Sequence, residues 1–152
     1  MTSVRTTTGA EAHLTVDENF QLKISGAGQN SDSSILTSAL RTATTQSSDQ
    51  TNTGSRGVLI FLNITAASGT GGLTLRILGK DPVSGQYFYI NAAPTTITAT
   101  GQYGYVLGPG CMSYGGSLQQ TTATILPRVW AVQIVHGDGS NYTYSVGASV
   151  VS

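Results

Sequence analysis

Gly57-Val58-Leu59-Ile60-Phe61-Leu62-Asn63-Ile64-Thr65 is the stretch whose reading decides the fold. Side chains alternate across a β-strand, so Val58, Ile60, Leu62 and Ile64 share one side while Leu59 and Phe61 share the other. A strand apolar on both sides predicts a central position with both faces covered. Full burial of each such side chain contributes about 1.5–3 kcal/mol. The apolar run from Val58 to Leu62 is far too short for a bilayer-spanning helix, which needs about 20 residues.

Downstream, Gly69-Thr70-Gly71-Gly72 turns the chain, and Leu73, Leu75 and Ile77 form the inward face of a second strand with Arg76 on its opposite side. Asp81-Pro82-Val83-Ser84-Gly85 is a turn by its chemistry: Asp bonds the following backbone, Pro fixes φ and Gly permits positive φ. Further strands are predicted over 87–90, 95–98, 103–107, 128–136 and 142–151, the last two joined by the loop Gly137-Asp138-Gly139-Ser140-Asn141. Trp130, opposite Val129 and Ala131, reads as core. Short strands between turn signals, without amphipathic crossover helices, predict an all-β fold: an antiparallel β-sandwich, jelly-roll-like or barrel-like, over residues 56–152.

Upstream, residues 1–55 read as an extended, Ser/Thr-rich N-terminal arm with a short hairpin. Phe20, Leu22 and Ile24 alternate, and the Asp17-Glu18-Asn19 cluster lets Leu14 to Val16 fold back on them. Ile35, Leu36, Ala39 and Leu40 have helical spacing and predict one short helix, followed by extended chain from Thr42 to Thr45.

Seven basic residues balance seven acidic ones, and charged residues are 9% of the 152, against about 25% in an average soluble domain. Arg5, Lys23, Arg41, Arg56, Arg76, Lys80 and Arg128 are scattered, whereas phosphate neutralisation needs a basic stripe, so no nucleic-acid partner is expected. A near-zero net charge lowers self-repulsion and favours association. The single Cys111, in the Gly108-Pro109-Gly110 turn region, excludes an intramolecular disulfide. No apolar signal-peptide core follows Met1 to Arg5, and the expectation is synthesis in a cytoplasm without membrane insertion.

No residue set converges on catalysis. The histidines are His13 and His136; His136-Gly137-Asp138 brings imidazole and carboxylate together only on a tight turn, where neighbours splay apart. Glu11, Asp17, Glu18, Asp32, Asp49, Asp81 and Asp138 sit mostly among turn residues instead of as facing carboxylates. Asp138, Ser140 and Asn141 offer one carboxylate, too few for calcium, and Gly69 to Gly72 lacks the Lys-Ser/Thr of a phosphate loop. The expectation is a non-enzyme without cofactor or metal. The glycosylation patterns at Asn63 and Asn141 read as chance.

The tyrosines form i, i+2 pairs: Tyr87 with Tyr89, Tyr103 with Tyr105, and Tyr142 with Tyr144. Tyr87, Tyr89, Tyr103 and Tyr105 can make an exposed aromatic platform for sugars or single-stranded nucleic acid, or line a sheet face or subunit contact, where tyrosine is enriched; the charge pattern supports no nucleic-acid groove.

Arg56-Gly57-Val58, Gly79-Lys80-Asp81-Pro82-Val83-Ser84-Gly85 with Tyr87, Ile97-Thr98-Ala99-Thr100-Gly101, Gly108-Pro109-Gly110, Leu126-Pro127-Arg128-Val129-Trp130, His136-Gly137-Asp138 and Tyr144-Ser145-Val146-Gly147 follow in an order that resembles a family of small virion proteins of tailed bacteriophages. The likeness covers roughly residues 56–150 and rests on turn and strand signatures. It implies a capsid cement or decoration protein on the outer head surface, binding the major capsid protein, stabilising capsomer contacts and assembling as a homotrimer. The segment before residue 56 is longer than in that family. An extended arm spreads contacts over several neighbours, which makes Arg5, Leu14, Val16, Phe20, Leu22, Ile24 and Arg41 the candidate capsid or subunit contacts. The rival readings are a tail, neck or baseplate component and a carbohydrate-binding host-adhesion module.

Overall fold

The computed structural model describes residues 4–5, 11–12, 15–16, 22–23, 30–91, 95–111 and 118–151. Among them are fourteen strands and no helix: β1 (Val4–Arg5), β2 (Glu11–Ala12), β3 (Thr15–Val16), β4 (Leu22–Lys23), β5 (Ser31–Arg41), β6 (Thr45–Gln46), β7 (Gln50–Thr51), β8 (Gly57–Ala67), β9 (Leu73–Lys80), β10 (Tyr87–Tyr89), β11 (Gly101–Leu107), β12 (Leu118–Thr122), β13 (Val129–His136) and β14 (Tyr142–Val151).

Two five-stranded sheets carry the body. The first runs β12-β11-β8-β14-β5; the second runs β10-β9-β13-β6, with β7 also paired to β13. Every pairing is antiparallel except β11 with β12. Among the described residues neither sheet closes on itself, because β5, β12 and β10 each have one strand neighbour, so the barrel-like alternative does not hold.

Val58, Ile60, Leu62 and Ile64 project from β8 into one apolar cluster with Leu73, Leu75 and Ile77 of β9, Trp130, Val132 and Ile134 of β13, and Tyr142, Tyr144 and Val146 of β14. Both sheets therefore bury their inward faces in a shared core, the main source of stability in a chain with so few charges.

β8 is central, between β11 and β14, yet among the described residues it is covered on one face only. Phe61 is 49% exposed, and Leu59 is half-buried. The expectation of cover on both faces fails for a physical reason: the same face continues as Asn63 and Thr65, the polar side of an antiparallel sheet.

The segment read as a helix at Ile35–Leu40 is instead part of β5, paired along β14 from Tyr142↔Arg41 to Val150↔Ser31. Four apolar residues at helical spacing cannot outweigh an open sheet edge that satisfies their backbone groups. β6 and β7 likewise pair with β13, so residues 31–51, read as arm, supply strands to both sheets. The expected hairpin is present as β3 with β4, in register Thr15↔Lys23 and Val16↔Leu22. Arg5 lies in β1, Val16 in β3 and Leu22 in β4, while Leu14, Phe20 and Ile24 lie outside the described residues. The strand predicted over 95–98 reduces to one bridge, Ile97↔Leu73, and the Gln/Thr-rich β12 was not anticipated.

Candidate functional site

On the outward face of the first sheet, backbone register places Gly104 of β11 and Gly147 of β14 on either side of Phe61. Glycine adds no side chain, so the benzyl group stands as a ridge with a hollow against it toward β11 and a second hollow beyond Gly147, toward β5. The hollow toward β11 holds about 420 Å³ and is lined by Leu59, Phe61, Asn63, Gln102, Gly104 and Leu118. The one toward β5, of about 380 Å³, is shallower and hydroxyl-rich, with Ser33, Ser34, Ser145, Asp32 and Gly147 along it. An apolar ridge beside an apolar hollow can take up a complementary apolar side chain and exclude water from it.

On the outward face of the second sheet, Tyr87 and Tyr89 of edge strand β10 are 38% and 60% exposed. Asp49 accepts hydrogen bonds from the Tyr87 hydroxyl and from Lys80 Nζ, the latter at 2.6 Å. The bonds from Lys80 and then Tyr87 hold the Asp49 carboxyl below its ordinary pKa, and Asp49 raises that of Lys80. Lys80 lies 5.3 Å from the Tyr87 ring centroid, and the Arg76 guanidinium lies 5.3 Å from that of Tyr89.

The four-tyrosine platform read from the sequence does not form. Tyr105 is 1% exposed, its hydroxyl pushed up to about 12 by burial, because the β11 register sets it beside Ile60 on the core side. Tyr103 is half-buried at the core margin and donates to the Ala99 carbonyl at 3.0 Å. Only Tyr87 and Tyr89 of that set share an open face.

Arg41 is engaged within the fold. Nη1 donates to the carbonyls of Ala39 (3.2 Å) and Tyr144 (2.8 Å), Nη2 donates to that of Thr37 (2.8 Å), and the guanidinium sits 4.5 Å from the Tyr144 ring centroid. It pins β5 to β14 where their register shifts, which removes it as a free contact group.

His136 and Asp138 do not form a catalytic pair. Asp138 accepts from Ser140 N–H at 2.8 Å, an ordinary turn bond, while His136 Nε2 lies 3.3 Å from the Tyr144 hydroxyl and its ring packs edge-on to Tyr142. Burial holds the imidazole below its ordinary value of 6.5. Among the described residues no three His, Cys, Asp or Glu side chains cluster as metal ligands.

Comparison of the chain with protein-family models, curated proteins and solved structures gives no match.

The Phe61 ridge was not foreseen from the sequence, which assigned Phe61 to a buried face. A signal was present: glycine inside a strand marks places where another group approaches closely, and Gly104 and Gly147 both interrupt strong strand patterns.

Proposed function

We propose that the chain is a structural protein of a phage particle, a capsid cement built as a β-sandwich that docks on the outer head surface through the outward face of its first sheet. The observation that carries this reading is Phe61, half exposed on a central strand between Gly104 and Gly147 and beside the hollow lined by Leu59 and Leu118. An exposed aromatic in an apolar setting is the type of anchor that dominates protein interfaces, where truncating it costs 2 kcal/mol or roughly more. The low charge of the whole chain supports dense packing into an assembly. The order of turn motifs from Arg56 to Gly147 supports the virion setting and, with it, the major capsid protein as partner and a homotrimer as the docked form.

The test is quantitative mass spectrometry of purified particles. A cement protein is present at a copy number comparable with the major capsid protein. A few copies per particle places it in a tail, neck or baseplate, and none refutes a virion role.

A further inference from the structure

The outward face of the second sheet carries a row of side chains used by neither the core nor the Phe61 ridge. Gln46 of β6, Gln133 of β13 and Arg76 of β9 are direct cross-strand partners, so they stand side by side across three strands. Gln133 Nε2 donates to Gln46 Oε1 at 3.4 Å. At the far end Arg76 lies over the ring of Tyr89, whose 60% exposure leaves much of it open to solvent. With strands about 4.8 Å apart, the row from Gln46 to β10 spans about 14 Å, enough for an extended ligand of a few rings.

We propose that this row is a binding site for an acidic oligosaccharide. Each carboxamide presents a donor and an acceptor together, and a guanidinium presents paired donors, the pattern that adjacent sugar hydroxyls require. Tyr89 adds a flat apolar surface at one end against which a pyranose can lie. The charge on this face decides the class of sugar. Lys80 is neutralised by Asp49, whereas Arg76 makes no ion pair among the described residues, so the row keeps one uncompensated positive charge. A planar guanidinium engages a carboxylate, sulfate or phosphate group bidentately. One free cation is far too few for a nucleic-acid backbone, whose affinity comes from many phosphate contacts. The site faces away from the ridge on the first sheet and is independent of where in a particle the chain resides.

The test is an array of uronate-, sulfate- and phosphate-bearing oligosaccharides beside their neutral counterparts, probed with the full chain and with Tyr89→Ala, Arg76→Gln and Phe61→Ser variants whose folding is checked by circular dichroism. Wild type and Phe61→Ser are expected to bind acidic members. Tyr89→Ala should weaken that binding about tenfold, which is about 1.4 kcal/mol. Arg76→Gln should abolish the preference for acidic over neutral sugars. Absence of binding to any acidic member, equal binding of neutral ones, or unchanged binding by both folded variants of the row overturns the proposal.

Discussion

Phe61 and Gly104 face each other across the β8–β11 pair, an aromatic side chain against a residue with none. Had β11 carried a β-branched residue there, the ring would be packed and the sheet face nearly flat. With glycine at 104, and again at 147 on the other side, the outward surface acquires relief without changing the core-facing residues Leu62 and Ile64. Phe61 is therefore separable from the stability of the fold, which makes the docking reading open to direct test.

Phe61→Ser should leave stability within about 1 kcal/mol of wild type, since the ring is half solvated in the free chain. Leu62→Ala, one residue along and fully buried, should cost about 2–5 kcal/mol through lost burial and the cavity left behind. Urea unfolding of the two variants measures the contrast; equal losses would mean that Phe61 is packed.

Tyr105 and Tyr144 should respond oppositely to removal of their hydroxyls. Among the described residues the buried Tyr105 hydroxyl has no hydrogen-bond partner, so Tyr105→Phe should be neutral or stabilising by up to about 1–3 kcal/mol. The Tyr144 hydroxyl meets His136 Nε2, and Tyr144→Phe should cost about 1 kcal/mol. Thermal melts of the two variants decide the sign.

Truncation separates the two parts of the Ser/Thr-rich lead. Removing residues 1–30 spares every strand of the two five-stranded sheets and should retain a cooperative unfolding transition. Removing residues 1–55 deletes β5, β6 and β7, exposes the β14 edge and takes away the Arg41 clamp on Tyr144. That shorter chain should lose cooperative unfolding, as followed by circular dichroism against temperature.

Acid should weaken the contact region between β13 and β14. His136 is held below 6.5 by burial, with the Arg41 charge acting the same way and Ser140 and Asp138 opposing it. The unfolded chain therefore binds the proton more readily than the folded one. The stability tied to neutral His136 is fully present above pH 6.5 and is lost as pH falls through 6.5 toward the lower folded value. Urea midpoints measured between roughly pH 5 and 8 should fall on the acid side, and His136→Gln should flatten that slope.

Much of this architecture was legible because burial on one side imposes a period of two. β8, β9, β13 and β14 were readable from Val58, Leu73, Trp130 and Tyr142 onward, each within a residue or so of its observed start. β5 was not, because Ile35, Leu36, Ala39 and Leu40 acquire their conformation from β14, about a hundred residues further along the chain. The tyrosine pairs show the same limit. Spacing says that Tyr103 and Tyr105 share a face, but only their register against Leu62 and Ile60 says that it is the core side. The Gln46-Gln133-Arg76 row was equally hidden, being assembled from three strands that are distant in sequence.

The most direct test of the proposed docking is binding of the purified chain to empty shells assembled from the major capsid protein that the proposal names as its partner, followed by co-sedimentation, with Phe61→Ser beside wild type and Tyr89→Ala. The account expects wild type and Tyr89→Ala to saturate the shells and Phe61→Ser to lose at least about tenfold in affinity while remaining folded. Equal binding of wild type and Phe61→Ser, or no binding by wild type, would contradict it.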